Sequence, residues 1–348
     1  MKKIFFTSIR EYSGTSAVVI GTVLNLLDEG KRVGYLKTFG YIPIIVDGVL
    51  TDADSGFVFS LLGEGNVLLS SPLVLTEDVY DEVMEGKRIP MDELKGAYNR
   101  LSSNKDVFVF EGGFNIFQGA CFGLSAFDVA YEFNLPVILV ERYSKLETLD
   151  RAIFVKNGLS RFLKGIVLNM VRDEDRNYAE KERVLFEKNG IPVLGTIPFV
   201  ELLSSCSIRT MSKELNARVL CGEDHFDRFV SSILVGAMDP ENAITFFKRK
   251  RNLVVVTGGD RSDIHIAALE ANVSSLVLTG GFPPSSIILS IAHEKNIPIL
   301  LVEEDTLTTA KKLDFIIGHS RTHEKEKLSV LKELIKKNVD IAKILGFG

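Results

Sequence analysis

Short apolar runs with no polar alternation recur along this chain, and helical patterns separate them. Val137-Ile138-Leu139-Val140 is the clearest case. Four consecutive aliphatic side chains suit a strand covered on both faces, not one with a solvated side. Runs of the same kind predict strands at 4–7, 33–37, 107–110, 137–140, 165–168 and 193–195. Between them, residues 17–27 and 126–133 place apolar side chains three and four apart, which predicts helices. Strands alternating with helices of this length form βαβ units, so the expected fold class is α/β with a parallel sheet.

The rhythm changes after Pro198, where Ser204-Ser205 precede two helix-like segments and a new strand series at 253–257, 276–279 and 299–302. A chain of 348 residues accommodates about two domains. The expected division is 1–204, then a smaller α/β part at 205–322, then a closing helix at 323–348. The second part carries an internal echo, Val-Val-Val-Thr-Gly-Gly at 254–259 and Leu-Val-Leu-Thr-Gly-Gly at 276–281. Two strands are therefore expected to deliver equivalent glycine turns at one edge of a small sheet. In the closing stretch Leu328, Leu331, Leu334, Ile335 and Leu345 recur at roughly helical spacing, which predicts a surface helix packed by one stripe.

Charge and composition narrow the function classes. The 41 basic side chains are outnumbered by 46 acidic ones and interspersed with them. Nucleic-acid binding requires a clustered basic face, so nucleic acid is not an expected partner. Cys121, Cys206 and Cys221 are too few and too far apart for a disulfide framework, and no Cys or His pair has metal-ligand spacing. A reducing, cytoplasmic location is expected. Arg10 and Glu11 cut the first apolar stretch short of a signal-peptide core. The longest uncharged window, 271–292, is broken by Gly280-Gly281 and Pro283-Pro284, so no membrane association is expected.

From residue 4 to residue 16 the chain passes from an apolar strand through a loop ending Ser13-Gly14-Thr15-Ser16 into a helix. A phosphate-binding loop has this layout, with backbone N–H groups and the helix start facing an anion and a hydroxyl at the Ser16 position holding Mg²⁺. On the loop alone a second reading stands beside it, an ordinary strand-to-helix turn capped by Ser13 or Ser16. The full signature also has a lysine before the hydroxyl, which meets the β and γ phosphates; here Thr15 stands in that place. Lys37 ends the second strand, Asp47, Asp52 and Asp54 follow, and Glu111 closes a later strand beside Gly112-Gly113. One hydroxyl, one or two aspartates and a strand-end glutamate make an oxygen-rich set suited to Mg²⁺, which keeps several waters.

The order of these pieces is Ser-Gly-x-Ser at 13–16, Gly-Tyr-Leu-Lys at 34–37, Asp54, Phe-Glu-Gly-Gly-Phe-Asn at 110–115 and Gly-Ile-Val-Leu-Asn at 165–169. It resembles the dethiobiotin synthetase branch of the P-loop NTPases and, more closely, the amino-terminal half of long bacterial phosphate acetyltransferases. The resemblance covers residues 1 to about 203. It implies a P-loop NTPase-type parallel sheet with ATP and Mg²⁺ as cofactors. By position it implies Ser16, Asp54 and Glu111 as the metal site and Lys37 near the phosphates and the carbamate, as the candidate catalytic residue. Asn169 would approach adenine, with Ser13, Gly14, Thr15 and Ser16 forming the loop. Thr15 departs from the family's pattern, and that departure counts against ATP hydrolysis and hence against ligase chemistry.

Thr-Gly-Gly-Asp-Arg-Ser-Asp at 257–263 and Asp-Thr-Leu-Thr-Thr at 305–309 resemble the DRTGG domain, over residues about 206–320. That resemblance implies regulation and dimerisation, with Gly258, Gly259, Asp260, Arg261 and Asp263 as candidate regulatory positions. Asp260 and Asp263 would cap the following helix and complement its dipole, leaving Arg261 to meet an anion or to pair across an interface. The two Thr-Gly-Gly turns also read as simple chain reversals. His265, one turn into that helix between isoleucines, is expected to pack or to line an interface. Long phosphate acetyltransferases carry a further acyltransferase domain, and on a chain stopping at Gly348 that chemistry is expected to be missing. The expected function is a sensor that binds a nucleotide or small anionic metabolite and acts as a homodimer. The alternatives are an ATP-dependent ligase that activates a carboxylate or carbamate, and a scaffold whose loop no longer binds.

Overall fold

The computed structural model of the protein describes residues 1–63, 71–319 and 324–348. The chain divides into two compact units, Met1–Phe199 with Lys325–Gly348, and Val200–Glu324.

The strands of the first unit are β1 (Lys2–Thr7), β2 (Val33–Lys37), β3 (Pro43–Val46), β4 (Val49–Asp52), β5 (Val107–Glu111), β6 (Val137–Arg142), β7 (Leu163–Val171) and β8 (Val193–Pro198). Six of them form one sheet in the order β2-β5-β1-β6-β7-β8, and every pairing in it is parallel. All six strands expected from apolar runs lie in this sheet. Its strands are buried on both faces, β2 and β5 along their whole length. Phe108 and Phe110 pack edge-on and tilted against Tyr98, with ring centroids 4.9 and 5.4 Å away. Burying a side chain of this size contributes about 1.5–3 kcal/mol.

Register carries the site. Glu111 at the end of β5 lies opposite both Phe6 of β1 and Lys37 of β2. The loop after β1, the β2 lysine and the β5 glutamate are thus delivered to one sheet edge. The β3–β4 hairpin turns at Asp47 and Gly48, both at positive φ (49° and 79°), the two-residue geometry for which Asp-Gly is favoured. Asp47 is exposed at that turn, away from the cluster described below. Asp52, at the hairpin's end, caps the helix Ala53–Leu62 by accepting from the N–H groups of Asp54 and Ser55.

The closing segment, expected to stand as a third part, belongs to the first unit, and the expected boundary at 322 lies outside the described residues. Its helix Lys325–Asn338 packs on the helix Thr15–Asp28 through buried Leu331 and Ile335. Gly21 makes this approach possible, because a Cβ there would overlap Ile335. Asn25 Nδ2 donates to the Lys332 carbonyl at 2.9 Å. The helix ends at Asn338, short of Leu345. Asp340 then caps a separate short helix, Ile341–Leu345, so the stripe is two helices and not one.

In the second unit the strands are β9 (Cys206–Ser207), β10 (Arg218–Cys221), β11 (Phe229–Val230), β12 (Ser232–Val235), β13 (Leu253–Gly258), β14 (Ser275–Thr279) and β15 (Ile299–Leu301). Five form a sheet in the order β10-β15-β14-β13-β12, with β10 antiparallel. β13 and β14 are parallel neighbours with Gly258 opposite Thr279, so the two Thr-Gly-Gly turns leave the same edge.

Candidate functional site

Gly14 begins the loop helix at φ 83°, a left-handed conformation in which any added Cβ would also overlap the Asn169 amide. No side chain caps this helix. Ser13 Oγ donates to the Arg10 carbonyl at 2.9 Å, so the capped-turn reading of Ser13 and Ser16 does not describe the loop. Two hydroxyls of this region, Thr7 Oγ1 at the end of β1 and Thr15 Oγ1 at the helix start, are buried and have no hydrogen-bond partner among the described residues. Unmet buried polar atoms beside an uncapped helix start are the features a bound anion would satisfy.

Ser16 Oγ donates to Glu111 Oε1 at 2.7 Å and lies 3.0 Å from Asp54 Oδ2. Lys37 joins the same group. Its ammonium lies 2.5 Å from Asp54 Oδ2, 2.9 Å from Asp52 Oδ1 and 3.7 Å from Glu111 Oε1. Tyr35 Oη donates to Glu111 Oε2 at 2.9 Å. Lys37, Asp52, Glu111 and Tyr35 are all buried. Burial pushes the Glu111 carboxyl up to about 7 against the pull of Lys37, with Asp54 adding to the rise. Burial works against the Lys37 ammonium too, but the three carboxylates outweigh it and hold its pKa well above the ordinary lysine value.

The sequence-derived residues Ser16, Asp54, Glu111 and Lys37 therefore meet at one point. Two carboxylate oxygens and a hydroxyl fit a hard divalent cation that retains waters, and three carboxylates facing one ammonium leave negative charge for it to offset. No group of three or more His, Cys, Asp or Glu side chains suited to a metal occurs among the described residues, so a cation here would rest on two carboxylates and the hydroxyl.

Asn169 stands on the other side of the loop, at β7. Its Nδ2 donates to the Ser13 carbonyl at 2.8 Å, and its Oδ1 accepts from the Met170 N–H at 2.9 Å. In this arrangement the side chain holds the loop.

Sequence reasoning named Asp52 without its role and missed Glu141 altogether. Asp52 ties the site together, since Oδ2 accepts from the N–H groups of Tyr41 and Ile42 while Oδ1 meets Lys37; its place before an apolar helix was the available signal. Glu141, buried at the end of β6, accepts from the N–H groups of Ile9 and Arg10 and so fixes the start of the loop. No sequence pattern distinguished it from a solvated strand-end charge.

In the second unit Arg261, expected to be free, pairs with Asp263 at 2.9 and 3.0 Å and donates to the Met238 carbonyl at 3.3 Å. Neither Asp260 nor Asp263 caps the helix Ser262–Glu270, whose N-cap is Arg261 with no side-chain bond. The shared carboxylate is the reason for Asp263, because both its oxygens are taken by the guanidinium. Gly259 admits no Cβ, which would overlap the Phe282 carbonyl. His265 is buried, with Nε2 2.9 Å from the Gly258 carbonyl.

Comparison with known proteins matches two successive regions of the chain. A family model described as AAA domain matches residues 2–207, and one described as DRTGG domain matches residues 210–315. The phosphate acetyltransferase of Synechocystis sp. is 23% identical over 99% of this chain and 51% of its own length. The ATP-dependent dethiobiotin synthetase of Clostridium perfringens is 25% identical over 57% of this chain and 91% of its own. The cell division ATPase MinD of Pyrococcus furiosus has 17% identity, a TM-score of 0.37, and coverage of 58% of this chain and 86% of that one. The chain spans about half the length of the phosphate acetyltransferases it matches. No helix among the described residues is long and apolar enough to cross a membrane. With the family model spanning more than half of its residues, the chain belongs to the AAA domain family, and in it a P-loop domain is followed by a DRTGG domain.

Proposed function

We propose that this protein is a cytoplasmic regulatory protein that binds a nucleotide or a small phosphorylated metabolite in its first unit, without rapid turnover, and acts as a homodimer. One observation carries the reading. Ser16, Asp54 and Glu111 converge within hydrogen-bond distance at the loop, while the position that would supply a mobile cation to the phosphates is Thr15.

The backbone N–H groups of Gly14 to Ser16 bind the phosphate, and the Thr15 hydroxyl gains the partner it lacks. Ser16, Asp54 and Glu111 would hold Mg²⁺, which when bound supplies charge neutralisation to the phosphates. Lys37 cannot swing to replace the loop lysine without abandoning three carboxylates, so binding is retained and transition-state stabilisation is weak. Titration calorimetry with ATP, ADP and GTP at millimolar Mg²⁺ tests this. Binding abolished by Ser16→Ala supports it, and no heat from any of them overturns it.

The retained Lys37 cluster also favours a second reading, an ATP-dependent ligase of the dethiobiotin synthetase type, in which Lys37 would orient a carboxylate or carbamate. Phosphate release that depends on a candidate acid and is lost in Glu111→Ala would favour it.

A further inference from the structure

Residues 8–16, the loop between β1 and its helix, contain a single cation, Arg10. Its side chain is 37% exposed and only lightly held. Nη2 donates to the Arg142 carbonyl at 2.8 Å. Nε is buried, has no hydrogen-bond partner among the described residues, and lies 3.8 Å from Glu141 Oε2, an oxygen that is likewise buried and without a hydrogen bond. At that distance the pair is held by charge alone.

Other cations at this sheet edge are more firmly engaged. Lys37 faces three carboxylates, and Lys145, after β6, pairs with Asp175 at 3.3 Å and lies over the Tyr178 ring. Arg151 of the helix Leu146–Leu159 pairs with Glu147 at 3.3 Å. Arg10 is also well placed. Its carbonyl accepts from Ser13 Oγ at 2.9 Å, which folds the loop back so that Arg10 stands beside the residue preceding Gly14. An arginine side chain anchored there is long enough to reach an anion on the N–H groups of Gly14 to Ser16.

We propose that Arg10 is the phosphate-binding cation of this loop: when the ligand binds, its guanidinium leaves Glu141 and the Arg142 carbonyl and takes the phosphate in its fork. Binding thereby recovers part of the charge that Thr15 does not carry. A guanidinium meets phosphate through two parallel N–H bonds, each stronger than a bond to a neutral carbonyl. The exchange gives up one such neutral bond and one charge contact without a hydrogen bond. Glu141 therefore competes with the ligand for Arg10. The charged groups that bear on its carboxyl are Arg10 from the loop and Arg151 from the helix Leu146–Leu159. The inference rests on the phosphate-binding reading above.

Calorimetry on the full chain at millimolar Mg²⁺, with ATP and inorganic tripolyphosphate, tests the assignment. Arg10→Gln should weaken both compounds by about tenfold or more, and Arg10→Lys should stay within about threefold of the parent. Glu141→Gln keeps an acceptor for the loop N–H groups but no charge to hold Arg10. At pH 8 it should tighten both compounds by about threefold or more, and at pH 5.5 it should match the parent, whose Glu141 then carries a proton. In the Arg10→Gln background the gain at pH 8 should vanish. Arg10→Gln binding as tightly as the parent overturns the assignment. So does a Glu141→Gln gain of equal size in both backgrounds, which would make Glu141 a repelling charge and nothing more. Should Arg10→Gln not fold, a Glu141→Gln chain that binds no tighter than the parent at pH 8 overturns it as well. Failure of both compounds to bind the parent chain overturns the phosphate-binding reading itself.

Discussion

Lys37 and Asp52 meet at 2.9 Å with both side chains buried, and the same aspartate caps the helix that carries Asp54. Lys37→Met leaves Asp52, Asp54 and Glu111 facing one another without a cation. Breaking a buried pair in this way costs about 3–5 kcal/mol, which urea denaturation would register as a lower midpoint. Millimolar Mg²⁺ should return more stability to the variant than to the parent, since the variant has more unmet negative charge. An unchanged midpoint would show that the cluster is not electrostatically coupled to folding.

Restoring the loop lysine should convert binding into hydrolysis. Thr15→Lys is expected to raise ATP hydrolysis by about a hundredfold, the scale on which one well-placed charge stabilises a transition state. Combining it with Glu111→Gln should remove the gain. Phosphate-release assays on the three chains decide the point, and a Thr15→Lys chain as slow as the parent would indicate that more than one part of the machinery is absent.

Glu141 sets a pH dependence. Burial pushes its carboxyl from 4.5 up to about 7, although the N–H groups of Ile9 and Arg10 and the Arg10 guanidinium pull it down. Between those values the folded chain keeps a proton that the unfolded chain releases, so this group's contribution to stability falls as pH rises through the window. By pH 8 the cost reaches about 3 kcal/mol. Glu141→Gln keeps an oxygen for the Ile9 N–H and has no proton to lose. The variant should match the parent near pH 4.5 and exceed it at pH 8. Melting curves with a constant difference across that range would exclude the effect.

Gly21→Ala tests the packing of the closing helix. Alanine adds about 0.5–1 kcal/mol of helix preference, but overpacking against Ile335 costs about 1–3 kcal/mol, so the net change is a loss. Gly21→Ala with Ile335→Val should lose less than the two single changes together, as expected for residues in contact. Strict additivity would mean that the helices separate without strain.

The sheet was legible because its strands are buried on both faces, and unbroken apolar runs such as 137–140 have few other uses. Lys37 and Glu111 were legible as chemistry because they end strands, and Ser16 and Asp54 because they open helices. Their convergence depends on the β1–β5–β2 register, which no local pattern encodes. The Arg261–Asp263 pair was missed because a charged residue two positions from another is equally compatible with capping. Docking of the helix Lys325–Asn338 was illegible for a different reason. Its apolar stripe marks a face to be covered, but only Gly21, some three hundred residues earlier, marks what covers it.

That docking alters what counts as a continuous piece of this protein. The chain leaves its first unit at Phe199 and rejoins it at Lys325, and the Lys2 ammonium reaches the Leu345 carbonyl at 2.6 Å, so β1 and the short helix Ile341–Leu345 lie side by side. A gene fragment stopping at residue 207 would bare the flank of the loop helix around Gly21 and Asn25. A circular permutant that joins Gly348 to Met1 and opens the chain at Val200 would instead make the unit that carries the Ser13–Ser16 loop one uninterrupted stretch of sequence.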